Sequence, residues 1–515
     1  MEEDETINEL TFYLSGNNFN EAEKKNIVVL TRSSWDDMFS FSTLYSVIYY
    51  NNDGERTRLG AVKIGQVNMK SDQRSPNLPL SFTSLDDNFF SLGQDVSYYE
   101  ELNEISDAFR ENFLNSLNDL AYNNEMYKKA YNERVTRISL MRDISHVSVI
   151  GQFRRLAQGT SILTTYDFDF ILPNGTKSEN SESLLHFSVV PKSNPPTNIH
   201  VIIGRNGVGK TFLFNNMIMS LLYPNSSKYG YFKTSSRIKS DFFANLISVS
   251  FSAFEEATPI DEMNKGNIRQ VSYSYIGLKT EKEGKVIIKS PTILKNEFAR
   301  SSYKCLITGK KQRWLRAVKV LETDPIFKDS EISEIANFKG GFEDFKKYAA
   351  NIFVNLSSGH KIILLTITRL VETIEEKSLV IIDEPETYLH PPLLSAFIRS
   401  LSDLLIQRNG VAIIGTHSPV VLQEVPKSCV WKLRRIANES IVERLDVESF
   451  GENVGVLTQE VFGLEVTDAG FHNILKEIVE RVDDYREAIT YLNNQLGFEG
   501  KAILRNLLFE QNEEN

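Results

Sequence analysis

Gly204-Arg205-Asn206-Gly207-Val208-Gly209-Lys210-Thr211 is the stretch that decides the fold. It follows a short apolar run, Ile199–Ile203, and precedes a helical pattern, Phe212–Leu222. That placement is what G-x-x-x-x-G-K-[ST] requires: a strand, a glycine-rich turn, then a helix. Glycines let backbone N–H groups curl around a phosphate, and the helix N-terminus adds partial positive charge. Lys210 can then reach the β- and γ-phosphates, while the Thr211 hydroxyl suits Mg²⁺. A chance match in a chain of this length is on the order of one in a hundred, and the flanking elements lower that further. The residues Gly204 to Phe212 are therefore expected to form a nucleotide site.

Working outward, Leu379-Val380-Ile381-Ile382-Asp383-Glu384-Pro385-Glu386 reads as a buried strand ending in adjacent carboxylates. Asp383 suits the Mg²⁺ beside Thr211, and Glu384 suits the base that takes a proton from attacking water. A strand-end Asp-Glu pair alone is more often a solvated turn; the phosphate loop upstream reverses those odds. Leu356-Ser357-Ser358-Gly359-His360 precedes an apolar helix and by itself reads as an ordinary N-cap. Val411–Ile414 leads into Gly415-Thr416-His417-Ser418-Pro419, where a lone His at a strand end is usually structural. Short apolar strands alternating with helices from 199 to about 420 predict an α/β fold with a mostly parallel sheet.

The ordered set GRNGVGKT, LSSGH, LVIIDEPETYLHP and THSP resembles the ABC-type ATPase heads of SMC-like repair proteins and OLD-family ATPases. The spacings agree, with 24 residues from Gly359 to Asp383 and 34 from Asp383 to His417. The resemblance covers roughly 160–430 and implies ATP and Mg²⁺ as ligands. It also implies that two heads pair around ATP, with Ser357, Ser358 and Gly359 touching the γ-phosphate held by the other copy. Glu384 would be the catalytic base, His417 the γ-phosphate switch, and Glu386–His390 the loop across the seam. A signature at a helix N-terminus without its own phosphate loop can act only on another bound nucleotide. Two departures stand out: His360 occupies a place where Gln is commoner, and Ile247–Phe254 contains no Gln. The γ-phosphate contact of that second stretch is either remade by Ser252 or lost.

The expected organisation is an N-terminal β/α region (1–145), an ABC-type head (146–430) and a helical C-terminal region (431–515). The head would hold an antiparallel β subdomain and a lid insertion at about 230–350. Residues 24–67 read as strands and 70–97 as loop. From Tyr98 the spacing of Leu102, Ile105, Phe109, Phe113, Leu117 and Leu120 predicts helix. Lys210 and Ser357 are 147 residues apart without sustained heptads, so a long coiled-coil arm is excluded.

The chain has 515 residues and a formal charge of −11, from 57 Lys+Arg against 68 Asp+Glu. Seven acids and no base lie in residues 1–23, and Glu510, Glu513 and Glu514 lie in the last six. Without those ten the body is near −1, which leaves room for a basic face. Lys295–Lys319 carries eight bases and one acid, with Tyr303 and Trp314 interleaved, and is a candidate nucleic-acid contact, about even with a solvated or partner-facing helix. Two cysteines exclude a stapled secreted fold or a structural zinc site, and no apolar run reaches membrane-spanning length. An acidic start is not a signal peptide, so a cytoplasmic location is expected. Of seven histidines three lie in the ATPase motifs, and neither an HNH nor a His-metal cluster is visible.

The compact head with Phe450-Gly-Glu-Asn-Val-Gly455 looks like the ATPase subunits of bacterial anti-phage systems, the Septu ATPase being nearest. That resemblance implies a homodimer or higher even-numbered oligomer that controls a partner nuclease of HNH type. The alternatives are a stand-alone SMC-like DNA-repair ATPase and, less favoured, a transporter motor.

Overall fold

The computed structural model describes residues 10–15, 25–33, 41–70, 72–160, 163–173, 184–224, 226–234, 242–251, 271–282, 285–308, 310–436, 439–463, 470–482 and 484–514. Ser252 and the acids of residues 1–9, 21 and 23 lie outside them.

The first unit is a six-stranded sheet of β1 (Thr11–Leu14), β2 (Ile27–Arg32), β3 (Leu44–Tyr50), β4 (Arg56–Gln66), β5 (Ser81–Phe82) and β6 (Phe89–Gly93). Its order is β5-β1-β2-β3-β4-β6, with β1 and β2 parallel and every other pair antiparallel. Strand β6 falls within a region expected to be loop. Its five residues Phe-Phe-Ser-Leu-Gly are all buried, a signal that the surrounding Pro, Ser and Asp clusters obscure. The single helical pattern from Tyr98 is two helices, Val96–Ile105 and Asp107–Ser116. Ser106 separates them because it is extended and its side chain accepts from the Phe109 N–H, capping a new helix.

The head follows. An antiparallel sheet of β7 (Tyr166–Ile171), β8 (Leu184–Val189) and β10 (Tyr231–Thr234) matches the expected β subdomain. The main sheet comprises β9 (Ile199–Ile203), β11 (Asn245–Ser250), β12 (Ser272–Gly277), β15 (Leu379–Asp383), β16 (Val411–Thr416), β17 (Val430–Ile436) and β18 (Glu439–Glu443). Its order is β12-β11-β15-β16-β9-β17-β18, parallel except for the β17–β18 hairpin. The hairpin β13 (Lys279–Lys282) and β14 (Lys285–Ile288) projects beside it.

Three expected boundaries move. The N-terminal unit runs past 145, because Val149, Phe153, Leu156 and Ala157 pack in its core. Strands β11 and β12 belong to the main sheet, so the lid proper begins after them, where helices Pro291–Ile307, Lys311–Leu321 and Phe342–Asn355 pack. The region from 431 is not wholly helical, because β17 and β18 extend the sheet before the helices Val454–Phe462, Phe471–Val479, Tyr485–Tyr491 and Phe498–Glu514.

Strands β9, β15 and β16 are mostly apolar and buried because both faces are covered, with buried His200 in β9 and Asp383 and Thr416 at strand ends as the polar exceptions. Val380, Ile382 and Ile414 face a core shared with the lid and the helix Ser358–Thr373. Leu379, Ile381 and Ile413 face the other core, shared with the helix Lys210–Leu222 and the antiparallel sheet. The phosphate-loop helix and the signature helix thus lie on opposite faces of one sheet. This is an α/β fold with a mostly parallel main sheet.

The N-terminal unit meets the head where β15 and β16 begin. The Ser145 N–H and the Ser148 hydroxyl donate to Glu375 at 2.6 and 2.8 Å, and Arg155 pairs with Glu376. Asp95 pairs with Arg408 and lies 3.7 Å from Arg313.

The basic segment 295–319, a candidate nucleic-acid contact, turns two of its eight bases, Lys310 and Arg313, inward. Lys310 is buried and donates to the Glu372 carbonyl at 2.6 Å. Arg313 is buried and donates to the carbonyls of Val371 and Ile374. Trp314 is fully buried, its Nε1–H donating to Thr368 at 3.0 Å. These cations close the last turn of the signature helix, where unsatisfied carbonyls and the helix dipole favour positive charge. Lys304 bridges Asp143 and Glu372 at 2.8 and 3.1 Å. Arg300, Arg316 and Lys319 remain exposed.

Candidate nucleotide site

The loop after β9 has the shape its glycines allow. Gly207 and Gly209 have φ of +81° and +104°, a left-handed backbone that L side chains rarely adopt, and open space where a Cβ would be. At Gly204 a Cβ would meet the Leu433 carbonyl oxygen at 2.4 Å. Val208 is buried in the core beneath, Arg205 donates to the Phe462 carbonyl at 3.0 Å, and Asn206 is exposed. Phe212 is 69% exposed on the first turn of the helix.

Lys210 is buried, its ammonium donating to the carbonyls of Gly204 and Arg205 at 2.9 and 3.0 Å. Burial lowers its pKa, and Glu384, Asp383 and Glu386 oppose that shift. The Thr211 hydroxyl donates to Asp383 Oδ2 at 2.6 Å. Strand β16 separates β9 from β15, yet the two strand ends converge, as ligand sites in open α/β sheets do.

Glu384 stands just past β15 with φ of +46°, a left-handed backbone unusual for a residue with a side chain. Its N–H donates to the Gly415 carbonyl at 2.8 Å. Its carboxylate lies 3.9 Å from Lys210 Nζ and 3.6 Å from His417 Nδ1. Glu386 was expected only as part of a seam loop, and its local role was missed. One of its oxygens accepts from the Thr416 hydroxyl at 2.6 Å and the His417 N–H at 2.8 Å, and lies 3.1 Å from His417 Nδ1. Gly415 admits this crowding, since a Cβ there would meet Phe214 at 2.4 Å and Asp383 at 3.0 Å. The Thr211 hydroxyl and Asp383 carboxylate are the hard oxygen pair that Mg²⁺ prefers, beside an open N–H cradle, so these residues fit ATP with Mg²⁺.

The signature lies apart, on the other face of the sheet. Ser357 caps the helix Ser358–Thr373, as the plain reading of that stretch has it. Ser357 and Ser358 are exposed, and Gly359 is buried where a Cβ would meet the Tyr388 carbonyl at 2.6 Å. Glu386–Tyr388 therefore touches both His417 and the signature helix.

A family model described as "AAA domain, putative AbiEii toxin, Type IV TA system" matches residues 282–423, which span the signature, Asp383-Glu384 and His417. Solved structures similar to this chain include the SMC head domain from Thermotoga maritima, with 11% identity over 55% of this chain and 99% of that one (TM-score 0.27). Another is cbiO1 from Clostridium perfringens, part of the ABC transporter complex cbiONQ, with 14% identity over 63% and 99% (TM-score 0.29). Protein ea59 of Escherichia phage lambda is 40% identical over 517 residues, 96% of this chain and 97% of its own length. At that identity along nearly the whole of both chains, this protein belongs to the ea59 family.

Proposed function

We propose that the protein is an ATP-binding and ATP-hydrolysing regulatory ATPase that pairs with a second copy around ATP and controls a partner nuclease in anti-phage defence. The observation that carries the ATPase reading is the convergence of Lys210, Thr211, Asp383, Glu384 and His417 at one sheet edge. In this reading Lys210 exchanges its loop carbonyls for phosphate oxygens, and Thr211 and Asp383 hold Mg²⁺. When bound, that ion offsets charge on the phosphates. Glu384 accepts the proton of the attacking water, and His417 senses the γ-phosphate. Ser357, Ser358 and Gly359 act on the nucleotide of the second copy, a reading supported by the signature helix packing on the sheet face opposite its own phosphate-loop helix.

The nuclease half rests on the resemblance of the compact head, its N-terminal elaboration and the tail with Phe450-Gly-Glu-Asn-Val-Gly455 to defence ATPases. A docking surface for that partner is available on the tail, where Phe498 and Phe509 are exposed and Phe471 and Ile474 partly so. The rival reading, a DNA-repair ATPase acting directly on DNA, loses support from 295–319, whose central cations point inward. Among the described residues no helix is long and apolar enough to cross a membrane.

Light scattering of Glu384→Gln tests the pairing: mass should double with ATP and Mg²⁺ and revert without them. A mass indifferent to nucleotide would remove the reading. Lys210→Ala should abolish ATP binding. Co-purification of neighbouring gene products, with and without ATP, tests the nuclease partner; recovery of no nuclease in either condition counts against it.

A further inference from the structure

Asp324, His360 and His390 come from three separate places in the chain and meet beside the signature. One ligand atom of each lies within 4.8 Å of the others. They are 36 and 30 residues apart in sequence, which is why no metal spacing was visible there.

Each position is fixed by its own element. Asp324 caps the short helix Pro325–Asp329, its Oδ1 accepting from the Ile326 and Phe327 N–H groups at 2.9 and 3.3 Å. His360 is 3% exposed, edge-on to Phe327 with ring centres 4.7 Å apart. Its Nε2 lies 3.0 Å from Asp324 Oδ1, and its Nδ1 lies 2.6 Å from the Ser357 hydroxyl. His390 is exposed at the start of the helix Pro391–Ile406, its Nδ1 accepting from the Leu393 N–H at a long 3.4 Å. The two imidazole centres are 6.3 Å apart.

We infer that Asp324, His360 and His390 form a three-ligand site for a zinc-class divalent ion. Two imidazoles and one carboxylate, with a fourth position left open, match the ligand set zinc takes, whereas Mg²⁺ and Ca²⁺ take oxygens. Ligands on tetrahedral zinc sit about 3.3 Å apart, so closing around the ion draws these atoms in by about 1.5 Å at most. The exposed His390 ring supplies that movement, because its capping bond is at the limit of hydrogen-bond length. The outer shell is also present. A metal-bound His360 Nε2 leaves its Nδ1–H to donate to Ser357, the second contact that ligating histidines usually make. Bound metal thus turns the Ser357 hydroxyl proton outward. It also ties the Glu386–His390 segment to the signature helix. The consequence for Ser357 rests on its proposed phosphate contact; the site itself does not.

The test uses the full chain, stripped with a chelator and titrated with Zn²⁺ against a chromogenic competitor, then with Co²⁺ for its visible spectrum. We expect one competing ion per chain and a Co²⁺ spectrum of tetrahedral intensity. His390→Gln and His360→Gln should each weaken binding at least tenfold and erase that spectrum. His390 is exposed, so its variant should melt like the parent and rule out misfolding as the cause. Lys210→Ala should keep the site, which separates its failure from failure of the ATPase reading. Absence of one-to-one binding, or binding that both His variants leave unchanged, would overturn the inference.

Discussion

At the scale of single residues, Glu384 and Glu386 are two positions apart and divided in task. Glu384 faces Lys210 and His417 with a third of its side-chain surface open, whereas Glu386 is almost closed off and holds Thr416 and the His417 backbone. Glu384→Gln should remove hydrolysis while ATP still binds. Glu386→Ala should lower kcat on the order of a hundredfold, the cost of misplacing a reacting group by about 1 Å, and leave KM for ATP nearly unchanged. Steady-state kinetics separate the two, and equal loss in KM would refute the positioning role. The strand-end positions of the phosphate loop, Asp383, Glu384 and His417 were legible because each follows a short apolar run. The hold of Glu386 on residues 30 and 31 positions away was not, since only the β15–β16 register brings them together.

Among elements, the signature helix shows where pattern reading stops. Its start was legible from Ser357 and Gly359. Its end is closed by Lys310 and Arg313, which composition alone offered as an outward basic face. Density of charge says nothing about direction when the carbonyls that attract it belong to another helix. Lys310→Glu or Arg313→Glu should therefore lower the melting temperature sharply. Arg313→Ala alone leaves Asp95 and the helix end less compensated, in a class of change that costs about 3 to 5 kcal/mol. Calorimetry with salt-dependent DNA binding in parallel distinguishes this from a lost DNA contact. A second element carries a pH signature. Asp119 is buried after the helix Asp107–Ser116, accepting from the Ala121 N–H at 2.9 Å and the Tyr99 hydroxyl. Burial pushes its pKa up to about 7, against the pull of those donors. The folded state therefore favours the protonated acid, and that advantage is present below about pH 4 and lost as pH rises toward 7. Denaturant midpoints should fall across that window, and Asp119→Asn should flatten the fall.

For the whole molecule, the N-terminal unit is joined to the head through Asp95. Burial pushes the Asp95 carboxyl up, but Arg408, Arg313 and Lys310 together hold it lower, at about 2. A lowered carboxyl gives stability above its unfolded value near 4 that is lost as pH falls through about 2, here roughly 2 kcal/mol. Acid titration followed by near-ultraviolet dichroism should show that loss, and Asp95→Asn should reduce it, with Glu372 and Asp143, also held low, carrying the remainder. The β/α character of both units was legible from apolar runs and turn signals. Their junction was not, because Glu375, Glu376 and Arg408 look like solvated loop residues until the sheet places them against residues 95 and 145–155.

Strand polarity has a consequence for inheritance. The proposed nucleotide site lies where the parallel strands end, and the N-terminal unit attaches where they begin. The two ends can therefore diverge on separate schedules. A lineage can exchange its leading unit while keeping the proposed nucleotide edge intact, provided that the incoming unit pairs with Glu375, Glu376 and Arg408 of the head.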